Sequence, residues 1–506
     1  MMPAQDAVFE GPEISWFSLS PMLVLIGAAL FLLIAGALVP RWPRGGYAFV
    51  TAFAAGAAAV LSMVLWDDAT DEGPSTLVAN AIAFDTFAMF VTITICAGLL
   101  LLALIFNDYL RREGLDGPEL YALMLVAATG GIVMGAANDF IVLFVGLETL
   151  SLAFYVLAAS YRRKTGSSES GIKYFVLGGF SSAFFLYGIA LIYGAVGSTN
   201  ITDMVATLST TIPVDRNDAL VLAGTALMLV GLGFKIAAVP FHVWTPDVYQ
   251  GAPTPVTALM ASVAKVAAFA ALMRVVIVAL PFYRDDWRPV IWALALLSLL
   301  VGAILAVVQT DVKRMLAYSS INHAGFILVG VEAASYRAGE ADSGLGVPSA
   351  LVYLLAYAVL VVGTFAIVGL VAGRGDEATD LDAFRGLSRR RPALALALTI
   401  LLVAQAGVPF TSGFIAKFGV IEASVDEESY LLAVVAMVST VIAAFIYLRI
   451  IVASWMSDED DEARQPLAVP LSSGLAIAAA VGFTLAVGLF PEWLLSAAEA
   501  TTQFAR

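Results

Sequence analysis

Apolar runs of about twenty residues, separated by short polar or charged stretches, recur from one end of the chain to the other. Each is long enough to cross a hydrocarbon core about 30 Å thick. Lipid offers no water to the backbone, so such runs are read as helices. The barrel alternative needs segments of about ten residues with alternating polarity, and that pattern is missing. The expectation is an all-α polytopic membrane protein of about fourteen transmembrane helices. They fall at 16–39, 46–66, 81–106, 119–136, 138–160, 171–196, 218–238, 253–280, 289–309, 313–334, 347–373, 392–420, 429–454 and 468–497. Only "ANDF" at 137–140 divides the fourth from the fifth.

Composition agrees with this class. Of 506 residues, 60% are hydrophobic and 13% charged, against about a quarter charged in soluble proteins. The lone Cys96 excludes an intrachain disulfide and a cysteine-ligated iron–sulfur cluster. Two distant histidines make a dedicated metal site improbable, and no glycine-rich phosphate loop follows a strand. The chain is expected to hold no cofactor or metal of its own. Its net charge of −14 comes largely from "WDDATDEG" at 66–73, "VDEES" at 425–429 and "SDEDDEA" at 457–463, which read as solvated loops. No nucleic-acid partner is expected. Residues 1–15 contain no Lys or Arg, so no cleavable leader is expected.

The distribution of basic residues orients the map. Loops after odd-numbered helices hold fifteen of the twenty Lys and Arg outside the spans: Arg41, Arg44, Arg111, Arg112, Arg162, Arg163, Lys164, Lys313, Arg314, Arg374, Arg385, Arg389, Arg390, Arg391 and Arg464. The other side holds Arg216, Arg284, Arg288, Arg337 and Arg506. Cytoplasmic loops carry the excess of Lys and Arg. Both termini are therefore expected on the periplasmic or extracellular side of the plasma (inner) membrane.

Two stretches interrupt the apolar pattern alike. "AAVPF" at 237–241 and "AGVPF" at 406–410 each place a proline inside a long apolar segment, with Lys235 just before one and Lys417 after the other. Proline removes a backbone donor and breaks the helix. Irregular backbone survives at membrane depth only inside protein or beside a water-filled cavity, and paired interrupted helices point to an ion pathway. Glu148 and Lys265 add two further charges in mid-span. A charge at the bilayer centre costs about 2.5–3.5 kcal/mol on insertion scales, so all four must face inward. Burial favours the neutral form of an ionisable group and a nearby opposite charge favours the charged form. A lysine balanced between the two can exchange a proton, which arginine cannot.

Plainer readings compete with proton transfer. Each of the four could be a structural ion pair. His323 in "SSINHAGF" could be a packing histidine or a relay, and His242 a relay or a cap for carbonyls freed at the break. Asp247 and Tyr249 are expected to close that break. Lys173 reads as a snorkelling anchor, and Lys313 and Arg314 as topology signals.

The quoted motifs carry a resemblance. "GLGFKIAAVPFHVWTPDVYQGAPTPVTALMASVAKVAAFAAL" and "QTDVKRMLAYSSINHAGFILVG" resemble signatures of the antiporter-like proton-channel subunits of respiratory complex I. "GIKYFVLGGFSSAFFLYGIALIYGAVGST" and "TPDVYQGAPTPVTA" are similar to the N-type branch. The similarity runs from about 80 to 455. It implies one membrane domain over 1–506, with N-terminal helices 1–3 at 16–110 and helix 14 at 468–497. Between them would lie two inverted five-helix repeats at 119–280 (helices 4–8) and 289–454 (helices 9–13), with helices 7 and 12 interrupted. It further implies that Glu148 pairs with Lys235 and tunes it, that Lys265 is the central carrier reached through water and His323, and that Lys417 is the outer carrier. The partners would be other membrane-arm subunits, with FMN, iron–sulfur clusters and quinone held elsewhere in the complex. D-type subunits of multisubunit sodium/proton antiporters and membrane subunits of energy-converting hydrogenases share these motifs. A scaffold that has lost pumping is a further alternative.

Overall fold

The structure, a computed structural model, describes residues 14–39, 42–210, 218–340, 344–456 and 467–505. The loop residues Arg41, Arg216, Arg464 and Arg506 and the acidic run at 457–463 lie outside the described residues. In chain order the helices are α1 (Ser20–Leu38), α2 (Gly46–Asp71), α3 (Thr86–Glu113), α4 (Pro118–Ala136), α5 (Phe140–Ala158), α6 (Thr165–Val196) and the short α7 (Ile201–Thr210). Then come α8 (Asp218–Ile236), α9 (Thr245–Gly251), α10 (Thr254–Leu259), α11 (Lys265–Met273), α12 (Arg284–Val307), α13 (Val312–Ser335) and α14 (Gly346–Ala372). The last are α15 (Leu387–Arg390), α16 (Pro392–Ala406), α17 (Ser412–Asp426), α18 (Tyr430–Met456), α19 (Leu471–Leu489) and α20 (Glu492–Glu499).

Among the described residues, twelve helices are long and apolar enough to cross a membrane, with 254–279 counted as one. The expected fourteen would also need α13, which carries Lys313, Arg314 and Glu332, and the pair α16–α17, whose halves have fifteen residues each. The division at "ANDF" is real. The fourth helix ends at Ala136 and Asp139 caps the next, its carboxylate accepting from Ile141 N at 2.7 Å and Val142 N at 3.3 Å.

Two boundaries differ from the sequence pattern, and the interruption expected at helix 12 is present. The third span starts at Thr86 rather than 81, because Ser75–Leu77 and Ile82–Phe84 pair as an antiparallel hairpin and Asp85 caps α3 through Ala88 N at 2.8 Å. The segment 392–420 is two helices. The segment 468–497 is also two, because Pro491 cannot continue α19.

The centre is formed by 254–279 and α14, in which every residue is buried. Around them pack α3, α13, α17 and α19. The outer helices α1, α2, α6 and α18 expose apolar side chains such as Phe31, Phe49, Phe175 and Val441. Lipid solvates such faces as well as protein does. One buried ion pair ties the centre to the chain end. Arg274 reaches Asp85 through two contacts of 2.7 Å and donates from Nε to Gly135 O at 3.0 Å. Ala505 N donates to the same Asp85 at 2.9 Å, and the Phe504 ring packs 5.2 Å from Phe87. Arg274 is fully buried.

Candidate functional site

The first break begins where α8 runs out of helical geometry. Ala237 adopts a left-handed φ of 60°, Ala238 N donates to Gly233 O at 2.9 Å and Ala237 N to Phe234 O at 3.1 Å. These are the two bonds of a Schellman cap, a role usually given to glycine. Trp244 Nε1 adds a second donor to Phe234 O at 3.0 Å, and Val239 N finds Ser298 Oγ at 2.9 Å. Trp244, not His242, therefore caps the freed carbonyl. His242 contributes its backbone oxygen to Thr245 N at 2.9 Å, while its Nδ1 is buried without a hydrogen-bond partner. Among the described residues, no hydrogen bond or ion pair joins His242 to Lys235, Lys265 or Lys417.

Lys235 lies in the last turn of α8. Its ammonium donates to Ser151 Oγ at 2.7 Å and sits 5.6 Å from the ring centres of Tyr155 and Tyr174 and 5.8 Å from that of Phe234. Aromatic faces attract such a cation. Glu148, Ser151 and Tyr155 line one face of α5 at helical spacing. The direct Glu148–Lys235 ion pair expected from the sequence is not formed: Ser151, one turn further along, takes the lysine's hydrogen bond. Glu148 Oε1 is left buried and unbonded.

Lys265 follows a π-helical turn, Met260–Ala264, inside the central span. Such bulges in α-helices frequently mark functional positions. Its ammonium donates to Ser320 O at 2.6 Å and Ser320 Oγ at 2.7 Å, and lies 5.6 Å from the Tyr357 ring centre. His323 sits one turn beyond Ser320, with its ring 4.6 Å from Tyr357. Its Nδ1 meets Tyr353 OH at 2.7 Å and its Nε2 meets Tyr447 OH at 3.1 Å, and that hydroxyl meets Ser319 Oγ at 2.6 Å. Lys265 and His323 are thus brought together around one tyrosine.

The second break repeats the first in another register. Gly407 takes φ of 90°, Gly407 N donates to Ala404 O at 2.9 Å and Val408 N to Val403 O at 3.1 Å. Lys417, in α17, reaches back and donates to Ala406 O at 3.2 Å, at the carbonyl end of α16. That end of a helix attracts cations. Its ammonium also lies 4.6 Å from the Phe326 ring centre. A Cβ on Gly407 would stand 2.9 Å from Lys417 Cδ, so the glycine provides both the backbone shape and the space.

The basic residues read as topology signals are more than that. Lys313 is fully buried, donates to Ala252 O at 2.6 Å and lies 3.8 Å from Asp376 Oδ2. Asp376 also accepts from Tyr109 OH at 3.1 Å and Thr254 N at 2.8 Å. Lys173 does not snorkel freely: it pairs with Glu169 and with Asp247, each at 2.7 Å. Arg314 holds the other Asp247 oxygen at 2.7 Å. Asp247 thereby ties α9 to α6 and α13. A cavity of about 390 Å³ opens beside this cluster, lined by Lys164, Glu169, Lys173, Asp247 and Asp376. The sequence hinted at Ser151 and Ser320 only by their helical spacing. Asp376, in a loop, gave no signal.

A family model described as NADH:quinone oxidoreductase/Mrp antiporter, TM matches residues 137–443, a stretch containing Glu148, Lys235, Lys265 and Lys417. NADH-quinone oxidoreductase subunit N 3 of Streptomyces griseus subsp. griseus is 40% identical, over 98% of this chain and 96% of its own length. A chain from respiratory complex I of Thermus thermophilus with bound aureothin superposes with a TM-score of 0.78 at 32% identity, covering 95% of this chain and all of that one. A chain of the Mrp complex from Dietzia sp. DQ12-45-1b gives a TM-score of 0.81 at 21% identity, covering 96% of each, a likeness of fold alone. The chain belongs to the NADH-quinone oxidoreductase subunit N family.

Proposed function

We propose that this chain moves protons across a bacterial plasma membrane as a membrane-arm subunit of NADH-quinone oxidoreductase, through Lys235, Lys265 and Lys417, with Glu148 modulating the first and His323 relaying between the others. One observation carries the reading. The three lysines are 7%, 2% and 5% exposed, yet each ammonium is hydrogen-bonded only to neutral oxygen and flanked by aromatic faces. Arg274, equally buried, has a bidentate carboxylate. A paired buried charge is locked, because removing its partner is costly. A buried ammonium with no carboxylate in hydrogen-bond contact can give up its proton at modest cost.

The chain has no fuel of its own. Moving one charge across 100 mV takes about 2.3 kcal/mol, supplied by quinone reduction in partner subunits that hold the flavin and iron–sulfur clusters. In this reading the two breaks belong to two inverted repeats, and both termini lie outside the cytoplasm. His242 falls out of the relay.

The test is the assembled complex in sealed vesicles. Lys265→Ala should keep NADH-driven quinone reduction measurable while proton translocation per electron pair falls by a third or more. Unchanged translocation with normal assembly would remove Lys265 from the pathway.

A further inference from the structure

The hydrogen-bonded sequence Ser319–Tyr447–His323–Tyr353 stops at a group that can neither accept nor donate a proton. Phe326 lies one turn beyond His323 on α13 and is fully buried. Its ring stacks on Tyr353, with centroids 6.0 Å apart and planes 15° from parallel. Tyr353 is the residue whose hydroxyl meets His323 Nδ1 at 2.7 Å. The Lys417 ammonium lies 4.6 Å from the centre of the same phenylalanine ring. One apolar side chain therefore touches both the end of the relay and the lysine beyond it.

Resting on the carrier reading above, we propose that Phe326 is a valve between the His323 relay and Lys417. A charged ammonium is attracted to the ring face. While Lys417 is protonated, that attraction holds the ring in place and keeps water out. When Lys417 is neutral, the attraction is lost and the ring is free to turn. A water can then bridge Tyr353 to Lys417. A water O–H proton passes to Lys417 Nζ, the Tyr353 hydroxyl restores the water, and His323, entering as the imidazolium charged from Lys265, restores the tyrosine and returns to neutral. The new charge draws the ring back. Phe326 is a positioning residue here, since it carries no proton.

The test uses the complete complex in sealed vesicles, with two readouts. One is proton translocation per electron pair. The other is the passive collapse of an imposed pH gradient with no electron donor, which a merely structural residue would not change. Phe326→Ala should accelerate collapse several-fold and lower translocation. Phe326→Leu, which keeps apolar bulk, should restore the seal. The double variant Phe326→Ala, Lys417→Ala should collapse at the wild-type rate, because the leak runs through the lysine. If Phe326→Ala does not assemble, Phe326→Val serves in its place. A wild-type collapse rate in an assembled small-residue variant overturns the valve, as does a leak that survives loss of Lys417. The two proposals fail separately. Lys417→Ala with unaltered translocation sinks the carrier role. Lost translocation in that variant, together with a tight membrane in Phe326→Ala, sinks only the valve.

Discussion

The two broken helices solve one problem with different residues. Both close with the same pair of capping bonds, yet the left-handed position is Ala237, three residues before Pro240, in the first, and Gly407, two before Pro409, in the second. The lysines differ in the same spirit. Lys235 precedes its break and leans on Ser151 and an aromatic box, whereas Lys417 follows its break and reaches back to the last carbonyl of α16. The shared element is a half-helix closed by the same capping bonds with a buried lysine beside the break, and the short motif shared in sequence only approximates it.

Six substitutions would break or sharpen this comparison. The largest effect is expected from Gly413→Ala at the second break. An added Cβ would stand 1.8 Å from Ala404 O, so α17 could not start where it does. We expect little or no assembled complex in the membrane, read by immunoblot after native electrophoresis. Normal assembly would show that the second break tolerates a shifted register.

Next are the lysines. Lys235→Arg and Lys417→Arg keep charge and length, but arginine stays protonated throughout a cycle. Both should lose a large part of translocation per electron pair while protein levels stay near normal. Full translocation in the Lys417 variant would make that residue a structural counter-charge, and the comparison would fail. A loss confined to one of the two would show which break moves protons.

The caps should respond with opposite signs. A non-glycine residue in the left-handed region costs roughly 1–2 kcal/mol. Gly407→Ala incurs that cost and also presses on Lys417, lowering the thermal midpoint of the detergent-solubilised complex by a few degrees. Ala237→Gly relieves it, offset by about 0.4–1 kcal/mol of added freedom in the unfolded chain, and should leave stability unchanged or slightly higher. Equal losses in both variants would refute the assigned geometry.

The smallest effect belongs to Ser298→Ala. It removes the acceptor for Val239 N, a bond worth about 1 kcal/mol. Faster amide exchange at Val239, with no change around Val408, is the expected outcome. Unchanged exchange at Val239 would mean that another group satisfies the first break.

The fold class and the buried charges were legible because both follow from one-dimensional signals. Apolar length sets the spans, and a charge inside such a span stands out. Proline marked both breaks for the same reason. What was hidden depends on geometry that no single residue announces. Ala237 looks like any helical alanine. The π-turn before Lys265 has no compositional mark. Ser151 displaces Glu148 as the partner of Lys235 because side-chain reach across two helices decides the bond, and spacing along one helix cannot. Lys313 matched a topology signal because its partner, Asp376, lies 63 residues away in a loop.

The Asp85–Arg274 pair has a consequence for how the protein is made. Asp85 takes donors from Arg274, 189 residues later, and from Ala505, 420 residues on. At roughly 5–20 residues per second of synthesis, its last donor arrives on the order of half a minute or more after it enters the membrane. Until then the carboxylate that starts α3 is only partly bonded, and the insertion machinery must hold an incomplete bundle. Phe504 and Ala505 act as a clasp on the start of α3, so a substitution that displaces Ala505 should delay maturation more than activity.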